Sequence, residues 1–363
     1  MSTFAVGKLR AHCGCLLGIL VFVLLPVGGF GVGDGLVLAQ QSAGEDGRFL
    51  AGLRERQLHQ LAELYCRRLL EQKDLPTARG AEISIELSIT LAEKALAAPP
   101  AERAPLWQEA QKPLDAFGQQ YPQSPWVVQV RLQEALNLLA RGELARQEAE
   151  LTQAGPEALE EARSSLRQAI RRLEELSEQV EQMRRQSDRG PSQPIRPTED
   201  SAPTAAQWEA IGETIRYQLA RAFRNQAQTY PAGSADRADG LLQALKLLDW
   251  TARIQADHPL VWKARVDQIV CYRLLGQTKE AGERLAQLAG LGPPPDIQAR
   301  AQAEAIRLLL AEGKLAEAVG LAEQARQQSV RSAELDLAVL ETYAAQWEAA
   351  HKAQDAQQAE QHY

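Results

Sequence analysis

The sequence predicts an all-α fold, a solenoid of antiparallel helix hairpins that includes one long heptad-patterned helix. Three observations predict it. The 363 residues are 45% hydrophobic but only 5% aromatic, and the stretches between breakers are dominated by Ala, Leu, Glu, Gln and Arg, a mix that favours helix. Apolar residues recur at spacings of three and four, with no sustained strand alternation. The segment LLAEGKLAEA (309–318) also has a counterpart, LLGQTKEA (274–281), each with one glycine between an apolar helix end and a Glu-Ala start.

The first element is an export segment. Lys8 and Arg10 supply a positive start, Leu16–Leu25 is a short apolar core ended by Pro26, and Val37-Leu38-Ala39 places small residues where a signal peptidase cuts before Gln40. Residues 1–39 therefore read as a signal peptide. The glycine-rich extension to Leu38 leaves a retained anchor open, although the dense apolar part falls well short of the roughly 20 residues that span a bilayer. Cys13 and Cys15 precede the apolar core, whereas a lipid-acceptor cysteine would follow it.

Residues 44–73 form a helical run, with Leu50, Leu53, Leu61, Leu64 and Leu69 at helical spacing, ended by Asp74-Leu75-Pro76. Helices over 77–97 and 102–120 follow, separated by Pro99-Pro100, because proline cannot continue a helix. YPQSP (121–125) is a corner. A fourth helix starts at Trp126, and Gly142 is expected to interrupt it as a hairpin turn.

Residues 157–186 carry a heptad seam of Leu159, Ala162, Leu166, Ala169, Leu173, Leu176, Val180 and Met183. Two destinations are open for it: a homo-oligomeric coiled coil, or packing on its own domain. Residues 187–203, with four prolines and no aromatic, read as a linker between an N-terminal region (40–186) and a C-terminal region (204–363). Helices are expected over 204–229, 236–256, 259–275, 278–289, 296–312, 315–328 and 331–350, with a polar tail that frays.

Gly276 and Gly313 can each adopt positive φ and close a helix, so the chain reverses into an antiparallel partner. The pattern resembles the tetratricopeptide repeat (TPR) family, a unit of two helices in about 34 residues. In that alignment Tyr272 falls on the helix-A aromatic, Ala281, Ala318 and Ala325 on the small helix-B positions, and Pro293 on the closing proline; Gly142 marks a weaker copy. YPQSPWVVQVRLQEALNLLARGEL is similar to TPR units of bacterial envelope proteins. The repeats are degenerate: Ile269 and Ile306 replace small residues, Arg265 and Gln302 replace aromatics, Leu288 replaces a small helix-B residue, and Val330 replaces a closing proline. The resemblance implies a right-handed solenoid whose A helices line a partner-binding face.

No catalytic or metal-binding motif is present, so no cofactor, metal or catalytic residue is expected. Cys66 and Cys271 read as buried small hydrophobes, and His258, in Asp257-His258-Pro259, as a cap or surface residue. Most of the six tryptophans are expected to pack between hairpins. The net charge is −7, and no concentrated basic surface suggests nucleic-acid binding. The resemblance places Lys263, Arg273, Arg300 and Arg307 on the A-helix face, where they would attract an acidic peptide or carboxylate. Val266, Asp267 and Val270 stand where the family's carboxylate clamp would need other residues. The expectation is a non-catalytic exported scaffold of the periplasm or cell envelope that binds a protein or peptide, membrane-attached only if the N-terminal segment is retained.

Overall fold

The computed structural model describes residues 45–152, 155–188, 203–250, 258–328, 330 and 332–361. The residues read above as an export segment, and most of those read as a linker, lie outside the described residues. Among these residues there are thirteen helices and no strand. They are α1 (Glu45–Glu55), α2 (His59–Leu70), α3 (Thr77–Ala97), α4 (Pro100–Gln120), α5 (Val127–Leu151), α6 (Pro156–Asp188) and α7 (Ala205–Gln228). The remainder are α8 (Ala235–Leu248), α9 (Pro259–Leu274), α10 (Thr278–Gly290), α11 (Pro295–Ala311), α12 (Leu315–Arg326) and α13 (Ala333–Gln361). None is long and apolar enough to cross a membrane.

Local chemistry explains most boundaries. Proline opens α4, α9 and α11, where its missing N–H has no helical partner to lose. The side chain of His258 caps α9, Nδ1 accepting from Leu260 N at 3.3 Å. Thr204 and Gln207 form a reciprocal capping box at the start of α7.

The hairpin glycines behave as turns. Gly276 and Gly313 have φ of 74° and 73°. After each, the next residue donates back across the turn, Gln277 N to Tyr272 O and Lys314 N to Leu309 O, both at 2.9 Å. This satisfies carbonyls that a helix end otherwise leaves unpaired.

Three elements differ from the sequence reading. The run 44–73 is two helices, because Gln57 takes φ 58° and Leu58 N closes on Leu53 O, the same closure made without a glycine. The last helix runs on to Gln361, past the expected end at 350. Gly142 is not a turn: α5 passes through it unbroken. A Cβ on Gly142 would stand 2.6 Å from Leu166 Cγ and 3.2 Å from Ala162 O, so glycine serves there to let α5 and α6 approach.

The seam of α6 is buried within the chain. Leu166, Ala169, Leu173, Leu176 and Val180 share one core with Leu136 and Leu139 of α5 and Trp208 and Ile215 of α7. Gly212 faces Val180, and Arg163 donates to Thr229 O at 2.9 Å, so α6 and α7 run antiparallel. The stretches on either side of the linker thus share a core.

Helix contacts follow one rule throughout. Each even-numbered helix packs between the odd-numbered helices before and after it, and each odd-numbered helix also touches the next odd-numbered one, from α1 to α13. The core is correspondingly a succession of local clusters along the chain. The small residues allow this close layering: Ala281, Ala318 and Ala325 are buried at hairpin contacts.

Candidate functional site

The odd-numbered helices form a row, and the polar residues that join them define the candidate partner-binding face. On α11, Arg300 and Arg307 flank Glu304 by one helical turn on either side, so all three share a face. The structure brings the carboxylate of Glu304, 5% exposed, between Arg273 of α9 at 2.8 Å and Arg307 at 2.9 Å. Arg307 also reaches Glu341 of α13 at 2.8 Å, 34 residues along the chain. Arg300 lies 3.6 Å from both Asp267 of α9 and Glu334 of α13. These pairs place α9, α11 and α13 parallel to one another.

The row continues toward the N-terminus. Arg224 of α7 donates to Asp267. Arg221 grips Glu143 of α5 with two bonds, at 2.7 and 2.5 Å, and Asn225 donates to the same carboxylate. Asn137 of α5 donates to Ser88 of α3 at 2.9 Å, and Arg54 of α1 to Glu86 of α3 at 2.5 Å. A polar spine therefore stitches every odd-numbered helix to the next.

Electrostatics match this geometry. Burial alone would raise the Glu304 carboxyl, but Arg273 and Arg307 hold it below the ordinary carboxylate range. Burial disfavours the charge of Arg307, yet bonding to Glu341 and Glu304 raises its pKa overall. Asp267 Oδ2 is buried without a hydrogen-bond partner, while its other oxygen serves Arg224.

Of the four cations singled out, Lys263 and Arg273 lie on α9 and Arg300 and Arg307 on α11, all half-buried on the row. Arg273, Arg300 and Arg307 are joined through Glu304, Asp267 and the carboxylates of α13. They form a charge-balanced lattice, not a cluster of unopposed cations. Sequence reasoning missed the acidic partners. The Glu304–Arg307 pair was legible from its spacing of three. The pairs Arg273–Glu304 and Arg224–Asp267 join different helices and had no local signal.

Tyr272 packs partly buried between two clusters, and Pro293 sits in the α10–α11 connection between Gly292, at φ 64°, and Pro294, the N-cap of α11. The Tyr-Pro corner lines an open groove of about 410 Å³ with Tyr121, Pro122, Pro125 and Trp126. Cys66 and Cys271 are unpaired and buried, and burial pushes both thiols up to about 12, which makes them poor nucleophiles. Among the described residues no group of three His, Cys, Asp or Glu side chains could hold a metal ion. No family model, curated protein or solved structure matches this chain.

Proposed function

We propose that this chain is a non-catalytic, exported scaffold, a right-handed TPR-like solenoid that binds a protein or peptide partner in the cell envelope. The observation that carries the reading is the continuous row of odd-numbered helices, each touching the next from α1 to α13. Stacked hairpins of this kind build a long surface without building a reactive pocket. Buried ion pairs across the row would hold that surface in one shape, which reduces the ordering cost of binding.

The charge balance refines the expected ligand. With Arg273, Arg300 and Arg307 facing internal carboxylates, the row suits a peptide of mixed polarity better than a purely acidic one. Burial of the α6 seam against α5 and α7 supports intrachain packing of that helix. Fold class alone does not assign function, so the test is direct.

Affinity capture from envelope extract compares the native chain with Lys263→Glu plus Arg300→Gln on the row and with Arg284→Glu on α10. Loss of the captured partner with the row variant alone supports the face. Equal recovery from all three overturns it. Sequencing the N-terminus of the exported protein tests the leader: Gln40 as first residue supports cleavage, and Met1 or Ser2 supports a retained anchor.

A further inference from the structure

We propose that two copies of this chain associate through the outward faces of their α6 helices, set antiparallel about a two-fold axis. α6 is the longest described helix, at 33 residues, or about 50 Å. It packs on α5 and α7 through its apolar seam. Opposite the seam runs a stripe at spacings of three, four and seven: Glu160, Arg167, Arg171, Glu174, Glu178 and Arg185, all exposed.

The charges along α6 come in blocks. From 162 to 172 the charged residues are all arginines, at 163, 167, 171 and 172; from 173 to 183 they are all glutamates, at 174, 175, 178 and 181. Before the first block stand Glu157, Glu160 and Glu161, and after the second Arg184 and Arg185, with Asp188 last. A solvated helix gains from opposite charges four residues apart, whereas like charges at that spacing repel. Arg167 and Arg171 are four apart, and so are Glu174 and Glu178. Toward the helix ends the charges are served within the chain: Glu160 by Arg163 and Arg167, and Glu181 by Arg184 and Arg185. At the centre Arg172 and Glu175 stand 3.9 Å apart, and Arg171, Glu174 and Glu178 form no ion pair among the described residues.

A second copy supplies the missing partners. With the axis passing between Arg172 and Leu173 and the helices antiparallel, Arg171 of one copy meets Glu174 of the other. In the same register Arg167 meets Glu178 and Glu160 meets Arg185, each pair made twice. A parallel arrangement would set every charge against its own like, so complementarity selects both the occupant and its direction. Such a contact is isologous and closes at two copies. Its centre is charged instead of apolar, which makes it weak and salt-dependent, because exposed ion pairs contribute little singly and are screened by salt. It lies on the side of α6 away from α5 and α7, so it does not cover the row of odd-numbered helices.

Sedimentation velocity of the full chain, as the producing cell delivers it, tests this over a concentration series at low salt and again at about 1 M, where the screening length falls to roughly 3 Å. One variant carries Arg167→Glu plus Arg171→Glu, which makes the centre of the stripe all acidic. A second carries Glu174→Arg plus Glu178→Arg, which makes it all basic. All four positions are exposed, so helicity by circular dichroism is expected to match the native chain. The native chain is expected to reach twice the monomer mass at low salt and to return to the monomer at high salt. Each variant alone is expected to stay monomeric, their equimolar mixture to dimerise, and a chain carrying all four reversals to dimerise as the native one does. A native chain that stays monomeric at low salt, a dimer unchanged at high salt, or a variant that self-associates as the native chain does overturns the proposal. So does a mixture or a fourfold variant that stays monomeric.

Discussion

Gly142 of α5 lies directly against Leu166 of α6, so closely that a Cβ on the glycine would stand 2.6 Å from Leu166 Cγ. Replacing glycine by alanine inside a helix ordinarily stabilises by about 1 kcal/mol. Here the added methyl meets a branched side chain that is fully buried and the backbone oxygen of Ala162. Overpacking of this kind costs about 1–3 kcal/mol, so Gly142→Ala is expected to destabilise by ~1–2 kcal/mol net. Urea unfolding measures it, and a more stable variant would show that α5 and α6 have room to spare.

The turn glycines make the opposite case by a different mechanism. Gly276 and Gly313 have open space where a Cβ would go, but their φ is positive. Alanine at either should cost about 1 kcal/mol through backbone strain alone, with asparagine milder. Gly320 of α12 has open space and no positive φ, so Gly320→Ala should stabilise by roughly 1 kcal/mol. Thermal midpoints of the three alanine variants, read side by side, should split in sign.

Glu304 is the junction on which Arg273 and Arg307 converge. Glu304→Gln leaves two half-buried guanidinium groups without their shared carboxylate. Breaking a buried pair costs about 3–5 kcal/mol; both arginines reach solvent, so a loss near 3 kcal/mol at neutral pH is expected. Because the folded-state pKa of Glu304 is depressed, its stabilisation is present above the ordinary carboxylate range and is lost as pH falls through the folded value. The gap between variant and native protein should therefore narrow in acid. Denaturation at neutral and acidic pH checks both, and a gap that widens on acidification would contradict the assignment.

Glu93 of α3 has the reverse linkage. Burial raises its carboxyl to about 7 despite the attraction of Arg54, which lies 3.5 Å away, with His59 at 3.7 Å. An acid whose folded-state pKa is raised contributes stability that is fully present below its unfolded value and is lost as pH rises toward 7. Glu93→Gln is expected to match the native chain near pH 5, where Glu93 is protonated, and to exceed it by about 1–2 kcal/mol near pH 8. The comparison of unfolding free energies at the two pH values decides it: an equal difference at both would remove the assigned titration.

By itself, the sequence determined the helices and most of their ends. Proline at 100, 259 and 295, the Thr204-x-x-Gln207 box, and glycine at 276 and 313 each act through one residue's φ, missing N–H or side-chain cap, so their effect is local and legible. Gln57 was not legible because a non-glycine residue took the left-handed conformation that the helix end required. Only the tertiary structure decided what Gly142 is for, where the α6 seam is buried, and which acids hold Arg273, Arg300 and Arg307. Those outcomes depend on which residues from separate helices come within a few ångströms, and periodicity along one helix carries no record of that. Leu61 and Leu64 make the same point: they share the helical spacing of Leu50 and Leu53, which are buried, yet the packing left them facing outward.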